Sequence, residues 1–202
     1  MRLVQRVRPR KIVDIEIAAE NILHLFQPEI LQRVGIFNVE RFFEFELKGD
    51  TGIEPVCARL PPGVEGYTDS KELKCFISNE LWDCGMDDVK RRRLRSTMVH
   101  EIGHCYLHVP DAVRNREYQQ VFGREDRLAF DLYDPDELQA YENPEWQAWR
   151  FASALLMPQD CFTRVVERGW TLRQLRDGFD VNRAYVLKRI RELKISKQVR
   201  DG

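Results

Sequence analysis

Apolar residues recur at intervals of three or four positions over much of the chain. Between residues 12 and 26 this spacing predicts an amphipathic helix, and Pro28 follows shortly after it. The same spacing predicts four further helices, over about 87–110, 145–157, 171–178 and 181–194. Pro158 either ends the helix over 145–157 or begins a new one.

The stretch from Asn38 to Leu47 fits either of two structures. Its apolar residues fit a helix capped by Asn38, whereas the alternation of Phe43, Phe45 and Leu47 with glutamates fits a strand. We favour the helix.

Two short runs rich in β-type residues, 53–58 and 73–78, predict strands of a small sheet. A turn-rich stretch that begins at Leu60 separates them. Residues 109–144, by contrast, are polar and contain several Pro and Gly breakers. A segment of this length without strong periodicity is usually a functional lid or a mobile insertion, and we expect one here.

Composition sets limits on the class of protein. The chain has 202 residues, 43% hydrophobic and 32% charged, with a formal net charge of −1, which predicts one soluble globular domain or a domain with a small appendage. The near-neutral balance provides no chain-wide attraction to nucleic acid or membrane, and no apolar run is long enough to span a bilayer. The basic start lacks a following apolar region, so no secretory signal is expected. Five cysteines without a Cys-x-x-Cys pair are expected to be reduced, in a cytoplasmic protein.

The sequence His-Glu-Ile-Gly-His at residues 100–104 carries the clearest chemical signal. His100 and His104 lie on the same side of a helix, one turn apart, so both can reach one metal ion. Glu101 points to a neighbouring sector, where a carboxylate can deprotonate a water molecule on that ion. The helix also has an apolar sector, which predicts one packed face and one face lining a cleft; this sector holds Leu94, Met98, Ile102 and Cys105.

A catalytic zinc ion needs a third protein ligand and an open position for water. On a straight helix His108 lies about 6 Å beyond His104 along the axis, so it cannot share the same tetrahedral ion. We interpret His108 as a structural residue or a support for a ligand. A carboxylate is expected instead, and Glu137, Glu142 and Glu145 are candidates. We favour Glu145, because it alone begins an apolar helix and a rigid element positions ligands better than a loop.

Two stretches of the chain match a known family. One runs from Arg91 to His108 and contains His-Glu-x-x-His-x-x-Leu-His, and the other runs from Glu145 to Pro158 and reads Glu-x-x-Ala-x-x-Phe-Ala-x-x-Leu-Leu-Met-Pro. Together they resemble the ImmA/IrrE family of zinc metallopeptidases over about residues 90–158. Trp149 departs from the pattern, because the family often has a polar residue there.

The resemblance implies an α+β, minimal zincin-like metallopeptidase fold, with a small β-sheet, an active-site helix and a helical C-terminal part. It implies that His100, His104 and Glu145 bind Zn²⁺ and that Glu101 is the catalytic base.

The activity implied by the resemblance is that of a zinc-dependent endopeptidase. Family members typically cleave a helix-turn-helix transcriptional repressor, in phage, mobile-element, toxin–antitoxin or stress-response settings, so the expected partner is such a repressor or a related regulatory protein. A donor to the oxyanion is also expected. The sequence leaves the arginines and four tyrosines as candidates: Tyr106, Tyr118, Tyr133 and Tyr141.

The C-terminal part has an excess of positive charge, with eleven basic residues against four acidic ones between Arg164 and Arg200. We expect a metallopeptidase domain over 1–158 and a helical extension over 159–202 packed on it. The two last helices could form a DNA-reading helix-turn-helix, which would make the chain a DNA-associated regulator with a structural or vestigial metal site. We favour a solvated basic face, or one that docks an acidic partner. The intact Glu101 also favours the enzyme, since a structural metal site needs no base.

Overall fold

The structure is a computed structural model that describes residues 4–83, 85, 87–122, 132–133 and 138–202. Its strands are β1 (Val4–Gln5), β2 (Glu54–Ala58), β3 (Gly66–Asp69), β4 (Lys74–Ser78) and β5 (Leu132–Tyr133). Its helices are α1 (Ile12–Phe26), α2 (Glu29–Gln32), α3 (Val39–Arg41), α4 (Leu47–Thr51), α5 (Asn79–Trp82), α6 (Asp88–Leu107), α7 (Val109–Phe122), α8 (Pro144–Leu156), α9 (Gln159–Glu167), α10 (Leu172–Phe179) and α11 (Arg183–Glu192). A π-helical turn (Phe42–Glu46) joins α3 to α4, and a 3-10 turn (Ala140–Glu142) precedes α8.

The main sheet has three strands in the order β2-β4-β3. β2 runs parallel to β4, with Val56 opposite Phe76, and β3 runs antiparallel to β4, with Thr68 opposite Cys75. The two predicted strands are confirmed, whereas the sequence did not predict β3. The reason is physical: all four residues of β3 are half-buried, so the strand lacks the alternation of apolar and polar residues that marks a strand in sequence. β1 and β5 form a separate antiparallel pair.

The ambiguous stretch after Asn38 is helical, as favoured. Asn38 caps the first turn by accepting a hydrogen bond from the Arg41 amide at 3.0 Å. Phe42 and Phe43 are both buried, whereas Phe45 is exposed to solvent. In a strand Phe43 and Phe45 would share one face, so their different exposure agrees with the helix and not with the strand.

The expectation of an irregular segment from residue 109 is wrong for its first part, because α7 follows α6 after one residue, His108. Pro110 lies in the first turn of α7, where a missing N–H removes no helical hydrogen bond. The predicted breaker therefore marks the start of a second helix. Residues 123–131 and 134–137 lie outside the described part of the chain, so the lid itself remains a prediction.

The core lies between α1, α6, α8 and one face of the sheet. Leu94, Met98, Ile102 and Cys105 are all buried there, which confirms the predicted packed face of α6. Gly103 marks a close contact between α6 and α8: a Cβ atom at this position would lie 3.1 Å from the Ala148 carbonyl oxygen. Among the described helices, none is long and apolar enough to cross a membrane.

A first group of buried charges, here called the Glu16 cluster, joins α1, α8 and α11. Arg189 donates to both carboxylate oxygens of Glu16 at 2.7 and 2.8 Å, and Arg150 Nη2 lies 2.6 Å from Glu16 Oε1. Arg189 also donates to the Met157 carbonyl at 2.9 Å. Burial alone would raise the pKa of Glu16, but Arg189 and Arg150 outweigh it and hold that pKa below its ordinary value.

A second group, the Asp180 cluster, joins the end of α10 to the first half of α6. Arg91 Nη2 and Arg92 Nε donate to Asp180 Oδ1 at 2.8 and 3.0 Å, and the buried Arg95 has its Nε 3.3 Å from Oδ2. Burial would raise the pKa of Asp180, but the arginines lower it. These ion pairs therefore attach α6 to the C-terminal helices. The attachment lies one and two turns before residues 100–104.

Candidate metal centre

Three side chains that can bind a metal converge where α6 meets α8. The Nε2 atoms of His100 and His104 are 3.1 Å apart, and Glu145 places Oε2 3.1 Å from His100 Nε2 and Oε1 3.7 Å from His104 Nε2. Ligand atoms around a tetrahedral zinc ion lie about 3.3 Å from one another, given bonds of about 2.0 Å. The donor types and their spacing therefore fit one small divalent ion.

Local structure explains why Glu145 reaches the histidines. Asn143 caps α8 by accepting from the Trp146 amide at 3.1 Å, and Pro144 occupies the first turn. Glu145 thus lies at a helix N-terminus, where the helix dipole favours a carboxylate. The close approach of α8 to Gly103, the residue before His104, brings this turn within reach of both rings.

Of the other two carboxylate candidates, Glu142 is not part of this group. Glu142 accepts a hydrogen bond from Arg6 Nη2 at 2.9 Å, and the pair lies near the surface. Glu137 lies outside the described residues. Of the carboxylates considered from sequence, Glu145 is the one that the structure places beside both rings.

Glu101 lies between α6 and the edge strand β3, and only 6% of the residue is exposed. Thr68 Oγ1 on β3 donates to Glu101 Oε2 at 2.9 Å and also lies 3.2 Å from the Glu101 carbonyl oxygen. Gly66 makes room for the side chain, since a Cβ atom there would lie 2.9 Å from Glu101 Cγ. The sheet therefore fixes the position of this carboxylate.

His108 packs behind His104 rather than beside the three donors. Its Nδ1 lies 2.9 Å from His104 Nδ1, and its Nε2 lies 3.2 Å from Gln147 Oε1. Burial lowers the pKa of His108 to about 4, so its ring is neutral at neutral pH. This position agrees with the prediction that His108 supports a ligand.

Trp149 forms an aromatic wall next to His100, with ring centroids 4.2 Å apart. Tyr185 of α11 meets the Trp149 ring edge-on at 6.0 Å, and Lys188 Nζ lies 5.3 Å from the centre of that ring. Burial lowers the pKa of Lys188. No local sequence pattern links Trp149 to Tyr185 and Lys188, because α8 and α11 are far apart in the chain. Only the spacing of Tyr185 and Lys188, one turn apart, indicates that they share a face.

Of the four tyrosines proposed as oxyanion donors, the two with described side chains, Tyr106 and Tyr141, are placed less favourably. Tyr106 donates its hydroxyl to Asp50 on α4, and burial together with this bond raises its pKa. Tyr141 is largely exposed, just before α8. The side chains of Tyr118 and Tyr133 lie outside the described part of the structure.

A small mixed sheet beside a helix with two histidines defines an α+β, minimal zincin-like fold, as expected. Residues 87–191 match the family model Peptidase_M78, the IrrE N-terminal-like domain, and this is more than half of the 202 residues. The chain belongs to this family, which confirms the resemblance read from its motifs.

Comparison with solved structures finds a Mycobacterium tuberculosis transcriptional regulator with a TM-score of 0.54 and 17% sequence identity. The match covers 88% of this chain but 46% of the regulator, so this chain spans less than half of that protein's length. At this identity the likeness concerns the fold alone. Among curated proteins, no match is found.

Proposed function

We propose that the protein is a zinc-dependent endopeptidase. Membership of a metallopeptidase-like family supports this proposal. The observation that carries it is that one ligand atom each of His100, His104 and Glu145 lies within 4.8 Å of the other two. Two histidines and one glutamate form a ligand set typical of catalytic zinc. A purely structural zinc site usually has four protein ligands, so a set of three favours catalysis.

In the proposed mechanism His100, His104 and Glu145 hold the ion. When bound, zinc would supply Lewis acidity, which acidifies a water molecule and polarises the peptide carbonyl. The carboxylate of Glu101 accepts the proton from that water and later returns it to the leaving amine. Thr68 holds Glu101 Oε2 in place, and Trp149 excludes water from one side of the His100 ring.

For the substrate we propose a helix-turn-helix transcriptional repressor or a related regulatory protein, in a phage, mobile-element, toxin–antitoxin or stress-response setting. The family resemblance supports this choice, and the solved structure of similar fold is titled a transcriptional regulator. Cleavage of such a protein would take place in the cytoplasm.

The packing of α11 weighs against the alternative of a DNA-associated regulator. Arg189 lies in the middle of the helix that would read DNA, and it is fully buried against Glu16. Arg176 is paired with Asp177, and Arg183 is paired with Asp201. Much of the basic excess in the sequence is therefore engaged within the protein.

The decisive variant is Glu101→Gln, which removes the proton acceptor but keeps the shape of the side chain. We expect it to retain one zinc ion per chain by elemental analysis and to cleave at least about 10²-fold more slowly. Because the substrate is a cellular protein, new protein N-termini should be compared by mass spectrometry in cells that express either form. The exposed Glu80 offers a matched control, and Glu80→Gln should behave like wild type. Identical N-termini in the wild type and Glu101→Gln, or wild-type protein without stoichiometric metal, would refute the proposal.

A further inference from the structure

The amide group of Gln147 has an unambiguous orientation. The residue is fully buried, and its Nε2 donates to the backbone carbonyls of Arg8 at 3.0 Å and of Tyr141 at 2.7 Å. Carbonyl oxygens only accept hydrogen bonds, so the NH₂ end must face them. Oε1 of Gln147 therefore faces His108 and acts as the acceptor there.

This orientation fixes the hydrogen positions on two histidines in turn. Since Gln147 Oε1 accepts, His108 Nε2 must carry the hydrogen of their 3.2 Å bond. A neutral imidazole has one N–H, so His108 Nδ1 has a lone pair and accepts. His104 Nδ1, 2.9 Å away, must then be the donor, and in the neutral form of the ring this leaves the lone pair of His104 on Nε2. That is the atom that faces His100 and Glu145.

We propose that Gln147 and His108 are positioning residues that set the tautomer and the ring orientation of His104 for metal binding. The hydrogen-bonded chain from Gln147 through His108 to His104 is here called the relay. Its relevance to the ion rests on the proposed function, but the tautomers themselves exist in the metal-free protein. Hydrogen-bond partners behind a ligand histidine typically change metal affinity by about 10–100-fold.

The relay serves one of the two histidines. His100 Nδ1 is buried and has no hydrogen-bond partner among the described residues, and its ring packs against that of Trp149 at a tilt of 37° instead. His104 is held through Gln147, which also binds the segment before α1 at Arg8 and the turn before α8 at Tyr141. The two ligands therefore depend on different neighbours, and a defect in the relay should affect His104 alone.

The first test is ¹⁵N NMR of the imidazole nitrogens in the metal-free protein, which has four histidines. We expect a hydrogen on Nδ1 of His104 and on Nε2 of His108. The second test is zinc affinity, measured by competition with a chromophoric chelator. His108→Phe keeps the size of the ring but removes the acceptor, so we expect zinc to bind about 10–100-fold more weakly and the Nδ1–H signal of His104 to change.

Two further variants separate the relay from a general loss of structure. His108→Asn places an acceptor oxygen near the position of Nδ1, so it should restore most of the zinc affinity and the His104 signal. His24→Phe replaces an exposed histidine on α1 and should leave both unchanged. A hydrogen on Nε2 of His104 in the wild type, or His108→Phe with unchanged spectrum and affinity, would overturn the relay. A wild type with the expected tautomers and no zinc affinity would support the relay and overturn the proposed function instead.

Discussion

Gly66 is where the edge strand passes closest to the proposed base. A Cβ atom at this position would lie 2.9 Å from Glu101 Cγ, 3.0 Å from the Phe76 carbonyl oxygen and 3.2 Å from Ile77 Cδ1. Two of these neighbours belong to the sheet, and the third is the carboxylate side chain itself. The absence of a side chain at residue 66 therefore allows Glu101 to reach Thr68.

Gly66→Ala should displace Glu101 without touching the three metal donors. We expect an overpacking cost of about 1–3 kcal/mol in the free energy of unfolding, measured in urea, together with slower cleavage and unchanged zinc affinity. Gly49→Ala on α4 is the control, because a Cβ atom there meets nothing within 4 Å, and it should stabilise by up to about 1 kcal/mol. If Gly66→Ala unfolded at the same urea concentration as wild type, the close approach of residue 66 to Glu101 would contribute nothing to stability.

Individual residues differ in how far the sequence could predict them. His100, Glu101 and His104 share one helix, so their spacing alone determines which way they face. Glu145 could be predicted because it begins an apolar helix. Thr68, by contrast, contacts Glu101 across 33 positions of sequence, and no local pattern records such a contact.

The helices show why periodicity predicts some elements and misses others. α1 buries one face, whereas α6 and α8 are buried on most sides in their second halves. In all three helices apolar residues recur at helical spacing, so their bounds were close to those predicted. α7 is polar over most of its length, and its proline suggested a break. β3 is half-buried throughout and has no alternation to detect.

Three helices meet at the Glu16 cluster, where Glu16 is the carboxylate closest to both arginines, and Glu192 lies farther away, 3.6 Å from Arg150 and 3.8 Å from Arg189. Glu16→Gln leaves Arg150 and Arg189 buried with less negative charge to balance them. We expect this change to lower the free energy of unfolding by about 3–5 kcal/mol at neutral pH. The exposed Glu29 is a matched control, and Glu29→Gln should stay within about 0.5 kcal/mol of wild type.

The same cluster predicts a dependence of stability on pH. Because folding lowers the pKa of Glu16, its contribution is complete above the ordinary value of 4.5 and is lost as the pH falls through the lower folded value. Urea unfolding of wild type and Glu16→Gln should therefore show a difference that is largest near neutral pH and shrinks in acid. A difference that stayed constant with pH would mean that the charge of Glu16 contributes little.

At the level of the entire chain, the apolar core is expected to fold without metal. The proposed ligands lie at the edge of that core, whose side chains extend from Ile15 to Val186. Zinc at about 100 times its dissociation constant would add about 2.7 kcal/mol, and each kcal/mol corresponds to about 2–4 °C in a chain of this size. We therefore expect a chelator to lower the melting temperature by several degrees and to leave the far-ultraviolet circular dichroism at 25 °C unchanged.

Glu145→Gln provides the comparison for this experiment, since it should weaken zinc binding and lose most of the stabilisation by zinc. Unfolding on chelation at 25 °C would contradict the expectation, because it would mean that the ion is needed to form the core. An equal response to zinc in the wild type and in Glu145→Gln would mean that the ion binds elsewhere.

The number of charged residues in a segment did not predict which of them lie on the surface of the protein. From the basic excess after Arg164 we expected a solvated basic face, with a DNA-binding surface as the alternative, yet Arg189 lies in the interior. Composition cannot show which arginines face a carboxylate inside the fold, because the closest partner of a buried arginine can be distant in sequence. Arg189 and Glu16, for example, are separated by 173 positions.

The contact at Gly103 has a consequence for ion selectivity. His100 and His104 stand on one helix and Glu145 on the other, so the gap between the helices sets the size of the cavity left for the cation. With hydrogen in place of a methyl group at residue 103, the gap is as narrow as the backbone of Ala148 permits. A methyl group there would widen it and shift preference from zinc toward larger ions such as cadmium. Gly103 thus limits the size of the proposed metal site, although it contributes no ligand to it.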